Sequence, residues 1–150
     1  MMNKIKNFIE RNKKYSTDMV RIAIALVFLW FGFSQIKNPA GWTKMVPSYL
    51  QALMPFSPST LIYFNGVLEI ILAALLLLGL YTRLVAFLLS LHLLHIVTIV
   101  GYGAVGARDL ALTIATASVF LHGTDAYSLD FIRKKDKIKD ENKESAEAKI

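Results

Sequence analysis

Glu69, His92 and His95 are the side chains of this 150-residue chain best suited to exchanging protons, and each interrupts an apolar run. Glu69 stands near the middle of the stretch from Leu61 to Leu80. About 20 apolar residues at a helical rise of 1.5 Å match the ~30 Å hydrocarbon core of a bilayer. A carboxylate at that depth costs a few kcal/mol, so it is expected to face a partner or a cavity rather than lipid. Were the chain to turn at Thr82, Glu69 and His95 would lie level across a helical hairpin. Asn65 would sit one turn above Glu69, and His92 one turn below His95 on its own face. A Glu69–His95 pair is therefore the expected mid-membrane contact, with helix rotation deciding whether the two face each other. Such a pair suits proton transfer, with Glu69 and His95 as candidate catalytic groups.

The same depth argument places Ser34, Gln35, Asn65, Arg108 and Asp109 toward the outer half of the membrane. The expectation is a polar pocket opening outward and floored by Glu69. Gln35, Asn65, His92, Arg108 and Asp109 are then its substrate-binding candidates. Packing alone is the competing account, because polar groups also cap helices and bond between them. His92-x-x-His95 with Glu69 offers three ligands to a metal, but no Glu-x-x-His pair lies on any span and His122 falls at the opposite membrane face, so no metal site is expected. Gly101-Tyr102-Gly103-Ala104-Val105-Gly106 matches the dinucleotide fingerprint formally, yet it follows a membrane helix instead of a strand and reads as a flexible outer turn. With no cysteine, thiolate catalysis and thiolate metal ligation by this chain are excluded. Asp18 with Arg21, and Arg108 with Asp109, read as interfacial charge pairs at helix starts.

These residues must be held by membrane helices. The chain is 55% hydrophobic, more than an ordinary soluble domain carries. Four segments, about 17–36, 61–80, 84–100 and 108–125, are apolar on nearly every face and lack the alternation of strands. The fourth is short for a span unless it continues toward Tyr127. The fold class is all-α: an integral membrane four-helix bundle. Its parts are a basic interfacial segment over 1–16, a membrane domain over 17–130 and a charged cytoplasmic tail over 131–150. Ile22–Phe33 followed by Gly32-Phe33-Ser34 has the form of a cleavable signal, but the long basic region before it favours an uncleaved first helix.

Of the 17 Lys and Arg residues, five precede helix one and seven follow Ile132, with Arg83 in the turn between helices two and three; Lys37, Lys44 and Arg108 fall on the other side. Both termini are thus expected in the cytoplasm. The net charge of +6 finds its partner in anionic headgroups of the lipid bilayer, and no nucleic-acid partner is expected. Met1–Asn12 sets Ile5, Phe8 and Ile9 on one face among lysines, as an interfacial helix would. The connection from Asn38 to Ser59 holds all four prolines together with Trp42, Tyr49 and Phe56, which predicts a short interfacial helix and a candidate lid over the bundle.

An ordered set of motifs runs through the chain: Arg21 before an apolar helix, Gly32-Phe33-Ser34-Gln35-Ile36-Lys37-Asn38-Pro39 at its end, Gly66-Val67-Leu68-Glu69, and Leu77-Leu78-Gly79-Leu80-Tyr81-Thr82-Arg83. Ala107-Arg108-Asp109-Leu110-Ala111-Leu112 and Tyr127-Ser128-Leu129-Asp130 follow. Together they resemble the DoxX family over about Arg21 to Asp130. That resemblance implies a four-helix protein of the cytoplasmic membrane. The family is named for a subunit of a thiosulfate:quinone oxidoreductase, and related proteins look like assembly factors or members of detoxification complexes. Family members often carry a lysine where Gln35 stands here, and Lys37 points elsewhere on a helix.

Two functional readings follow. In one, the chain is a membrane subunit of a quinone-linked oxidoreductase, with quinone as the candidate cofactor and Glu69 or His95 exchanging its protons. The sequence offers no evident site for flavin, haem or iron–sulfur, so electrons would come from a partner subunit or an exogenous donor. In the other, the chain is a non-enzymatic scaffold or assembly factor whose polar core fixes helix register. A partner protein or a second copy of the chain are the candidate protein partners.

Overall fold

The computed structural model describes residues 2–12, 15–123 and 127–147. Eight α-helices occur among them: α1 (Met2–Asn12), α2 (Ser16–Lys37), α3 (Pro39–Trp42), α4 (Ser48–Leu53), α5 (Pro58–Leu78), α6 (Thr82–Val100), α7 (Ala104–His122) and α8 (Leu129–Glu147), with a 3-10 turn over Thr43–Met45 and no strand. Four of them, α2, α5, α6 and α7, are long and apolar enough to cross a membrane. The protein is an all-α membrane protein with four candidate spans. Its α2, α6 and α8 begin at the end that carries both terminal segments, here the terminal end; α3 and α4 lie at the opposite, distal end.

Local chemistry explains the helix limits. Pro58 opens α5 with the Ser57 side chain accepting a hydrogen bond from the Thr60 N–H, the usual proline-first, serine-cap arrangement. Gly79 closes α5 at φ +66°, in the left-handed region where a side chain is penalised. Tyr81 also has a positive φ, +49°, and the turn is held from outside: Asp130 accepts from the backbone N–H of Tyr81 and of Thr82 and from the Thr82 hydroxyl, so it caps α6. The segment leading into α8 is therefore part of the hairpin turn. The glycine-rich connection between α6 and α7 is shorter than expected. It comprises only Gly101–Gly103, because Gly106 already belongs to α7 and packs against the Gly101 carbonyl. The fourth span runs from Ala104 to His122, four residues earlier than expected at its start; 124–125 lie outside the described residues.

The four spans associate as two pairs. α2 lies closely along α5, and α6 along α7; α5–α6 and α2–α7 touch much less. The first pair is close because glycine faces glycine: a Cβ on Gly32 would stand 2.8 Å from the Gly66 carbonyl oxygen, and one on Gly66 would stand 2.8 Å from that of Gly32. Small residues at a crossing are the usual means by which membrane helices gain packing. The buried apolar core, including Ile24, Leu76, Leu89 and Val119, fills the terminal half of the bundle. In the distal half a cavity takes its place.

Asp18 and Arg21, expected as an interfacial pair, do pair, Nη2 to Oδ1 at 3.7 Å, but inside the protein, with Arg21 at 1% exposure. Arg21 Nη1 donates to the carbonyls of Leu76 and Leu77, at 2.7 and 2.8 Å, and Asp18 accepts from the Tyr127 N–H. The guanidinium thus supplies a donor to the Leu77 carbonyl and a second one to that of Leu76, which also accepts from the Gly79 N–H, and this is why it lies inside.

Candidate binding site between the helix pairs

The cavity has a volume of about 260 Å³ and lies between the two helix pairs. Its walls are mainly apolar, with Val27, Phe28 and Phe31 from α2, Leu61 and Ile62 from α5, and Ile96 and Ile99 from α6 among them. The distal side is covered by the α3–α4 connection, which contributes Trp42, Met45, Val46, Pro47, Leu50 and Met54. Gln35, Asn65, Glu69, His92, His95, Arg108 and Asp109 all line this one space. Ser34 does not. It sits one helical step round from Gln35, and its carbonyl accepts from the Asn38 N–H at the end of α2.

Glu69 is 3% exposed, and its two oxygens are fully engaged. Gln35 Nε2 donates to Oε2 at 3.0 Å, Asn65 Nδ2 donates to Oε1 at 3.0 Å, and His92 Nε2 lies 3.3 Å from Oε1. Asn65 Nδ2 also donates to Gln35 Oε1 at 2.8 Å, closing a ring of three side chains. Both amides therefore turn their N–H groups to the carboxylate, and the imidazole completes its coordination from α6. Here a carboxylate can be buried because donors replace the water it has lost.

The histidine in contact is His92, one turn nearer the terminal end than the expected His95. The reason is the turn. α5 stops at Leu78 and α6 starts at Thr82, so the hairpin is centred at Leu80 rather than at Thr82. Glu69 and His92 lie 11 and 12 residues from that centre, so His92, three residues or about 4.5 Å of helical rise before His95, is the histidine level with Glu69. His95 lines the cavity, is exposed, and its imidazole makes no hydrogen bond among the described residues.

Arg108 and Asp109 pair at the distal rim, Nε to Oδ1 at 2.7 Å. The Arg108 guanidinium also lies 4.7 Å over the Phe31 ring, which meets Trp42 edge-on at a centroid distance of 5.8 Å. This stack joins α7 to α2 and α2 to the lid, and a cation over an aromatic face contributes about 0.5–2 kcal/mol. Phe31 and the apolar lid residues carried no signal in the sequence beyond their position near Trp42. Among the described residues no cluster of three His, Asp or Glu side chains has the form of a metal site.

The arrangement combines a greasy slot, hydrogen-bonding groups gathered at its floor, and a carboxylate–imidazole pair able to pass a proton. Its volume falls just below the ~300–1,000 Å³ of pockets for drug-sized ligands, so it suits a single ring system rather than a nucleotide. A family model described as DoxX matches residues 17–102, which takes in α2 to α6 and ends before Arg108, Asp109 and the Asp130 cap. Neither a curated protein nor a solved structure matches the chain.

Proposed function

The chain belongs to the DoxX family, and from that premise we propose that it serves in the cytoplasmic membrane as the membrane subunit of a quinone-linked oxidoreductase. The cavity holds the quinone ring. In this reading the terminal end, with its excess of Lys and Arg, faces the cytoplasm and the lid lies at the outer face.

The observation that carries the proposal is the Glu69–His92 contact at the floor of a mainly apolar cavity. Conversion of a quinone to its quinol takes up two electrons and two protons. Electrons come from a partner subunit or an exogenous donor. The residues of this chain handle the protons: the imidazole gives one to a ring oxygen, and Glu69 beside it holds the imidazole in place and, when protonated, returns a proton to it. Gln35 and Asn65 fix the carboxylate. Gln35 stands where family members often carry lysine, so the carboxylate here is met by neutral amides and by His92. His95, unbonded in the same space, is the second group within reach of a ring oxygen.

Trp42 lines the cavity and reports on it. In a Trp30→Phe background, a short-chain quinone should quench Trp42, and Glu69→Gln should weaken that binding about tenfold to a hundredfold, because it removes the charge-assisted contact of about 1.5–3 kcal/mol that holds His92 ready to donate to a ring oxygen. Quenching that is absent, or unchanged in Glu69→Gln, would defeat the proposal.

A second reading rests on a different observation. The bonds to Glu69 tie α2, α5 and α6 together, as a device for helix register requires. If the chain is a scaffold or assembly factor, Glu69→Gln lowers the yield of folded bundle and of any co-purified partner, and leaves quinone affinity where it was.

A further inference from the structure

The two loosely packed seams of the bundle differ at their distal ends. Between α2 and α7 the Arg108 guanidinium lies on Phe31 and closes the gap. Between α5 and α6 the chain is joined at the terminal end by the Gly79–Thr82 turn and at mid-height by Glu69 and His92. Beyond that pair, toward the lid, no hydrogen bond links the two helices among the described residues, although Leu61 and Asn65 on one and His95 and Ile99 on the other all line the cavity. His95 is both cavity-lining and exposed, so the space reaches the side of the bundle there. The lid meanwhile covers the distal side with Trp42, Leu50 and Met54.

Helical periodicity extends the seam outward. On α5, Phe64 and Leu68 lie on the flank of Asn65 away from α2, since Gly66 marks the α2 side. On α6, Leu88 and Leu91 lie on the flank of His92 away from α7, since Leu89 and Leu93 are buried in the core. All four are exposed, so the flank beside this seam is apolar on both helices.

We infer that the ligand of this site is a bilayer-resident amphiphile that enters sideways between α5 and α6, and that its alkyl tail lies along the exposed Phe64–Leu68 and Leu88–Leu91 flank while its ring oxygens accept from the histidines beside Glu69. This rests on the ring-binding proposal and adds the tail, its position and the route.

The chain has no cysteine, so introduced pairs react alone. Leu61 and Ile99 are equidistant in sequence from Leu80 and stand on opposite sides of the seam. In vesicles, a Leu61→Cys, Ile99→Cys double variant joined by a bifunctional disulfide-forming reagent should load a long-tailed quinone at least tenfold more slowly, with the rate restored on reduction. Loading that is unaffected by the tether would overturn the lateral route. Independently, a quinone with a photoreactive group at its tail end should label α5 and α6 around Phe64, Leu68 and Leu91 in the untethered protein. Label on the lid around Leu50 and Met54, or on α2 and α7, would overturn the tail assignment while leaving ring binding intact. If neither a long-tailed quinone nor its tailless ring binds the untethered protein, the ring-binding proposal itself fails.

Discussion

Replacing Gly66 by alanine should force α2 and α5 apart and loosen the floor of the cavity. The new methyl would stand 2.8 Å from the Gly32 carbonyl oxygen and 3.0 Å from Gln35 Cβ. Carbon–oxygen contacts between helices settle at about 3.3–3.6 Å, so the helices must separate by at least about 0.5 Å. The Gln35–Glu69 hydrogen bond, 3.0 Å long, spans the same crossing and would be stretched to the edge of hydrogen-bonding range. Overpacking costs about 1–3 kcal/mol, and an interhelical hydrogen bond in a membrane protein contributes about 0.6 kcal/mol and at most about 1.7. The expected loss is about 1.5–4 kcal/mol, read as unfolding in mild-detergent micelles titrated with sodium dodecyl sulfate. Gly103→Ala is the control: its backbone is extended and a Cβ there meets nothing within 4 Å, so its effect should stay within about 0.5 kcal/mol. Because part of the loss runs through Gln35, Gly66→Ala and Gln35→Ala should combine to less than their sum. If Gly66→Ala proves as stable as Gly103→Ala, the close α2–α5 crossing is not what sets the site.

Further outcomes follow from other contacts. Asp130→Ala removes the cap of α6 and should cost about 1–2 kcal/mol, with faster hydrogen exchange at the Tyr81 and Thr82 amides. Arg21→Met removes the guanidinium bonds to the Leu76 and Leu77 carbonyls and leaves Asp18 buried without its cation, a loss of about 3–5 kcal/mol that should show as a collapse in folded yield. His92→Ala should lower stability by about 0.6–1.7 kcal/mol through the Glu69 contact, whereas His95→Ala should leave stability unchanged and weaken ring binding only. Equal thermal shifts in the two histidine variants would contradict the assignment of roles.

The bundle was legible because membrane-length apolar runs and their proline and glycine limits are local features. Ser57-Pro58 and Gly79 bound α5 within a few residues of the stretch read from hydropathy. Which candidate residues share a space was also readable from depth, since counting along helices needs only the rise. What sequence does not carry is the phase between helices. One displaced turn centre exchanged His95 for His92 beside Glu69, and one helical step separated Gln35 in the cavity from Ser34 outside it. The burial of Arg21 was hidden for a related reason: its partners are backbone carbonyls of α5, which have no signature in residue type. The lid lining was concealed by its ordinary composition, as Met45, Leu50 and Met54 read like any interfacial apolar residues.

The most direct test is where a bound quinone ring lies. A ring-labelled photoreactive quinone, activated on the purified protein in lipid nanodiscs and mapped by mass spectrometry, should mark the peptides around Asn65, His92 and His95, and Glu69→Gln should sharply reduce that labelling. Labelling spread over lipid-facing positions such as Trp30, and equal in wild type and Glu69→Gln, would contradict a ring held at the Glu69–His92 pair.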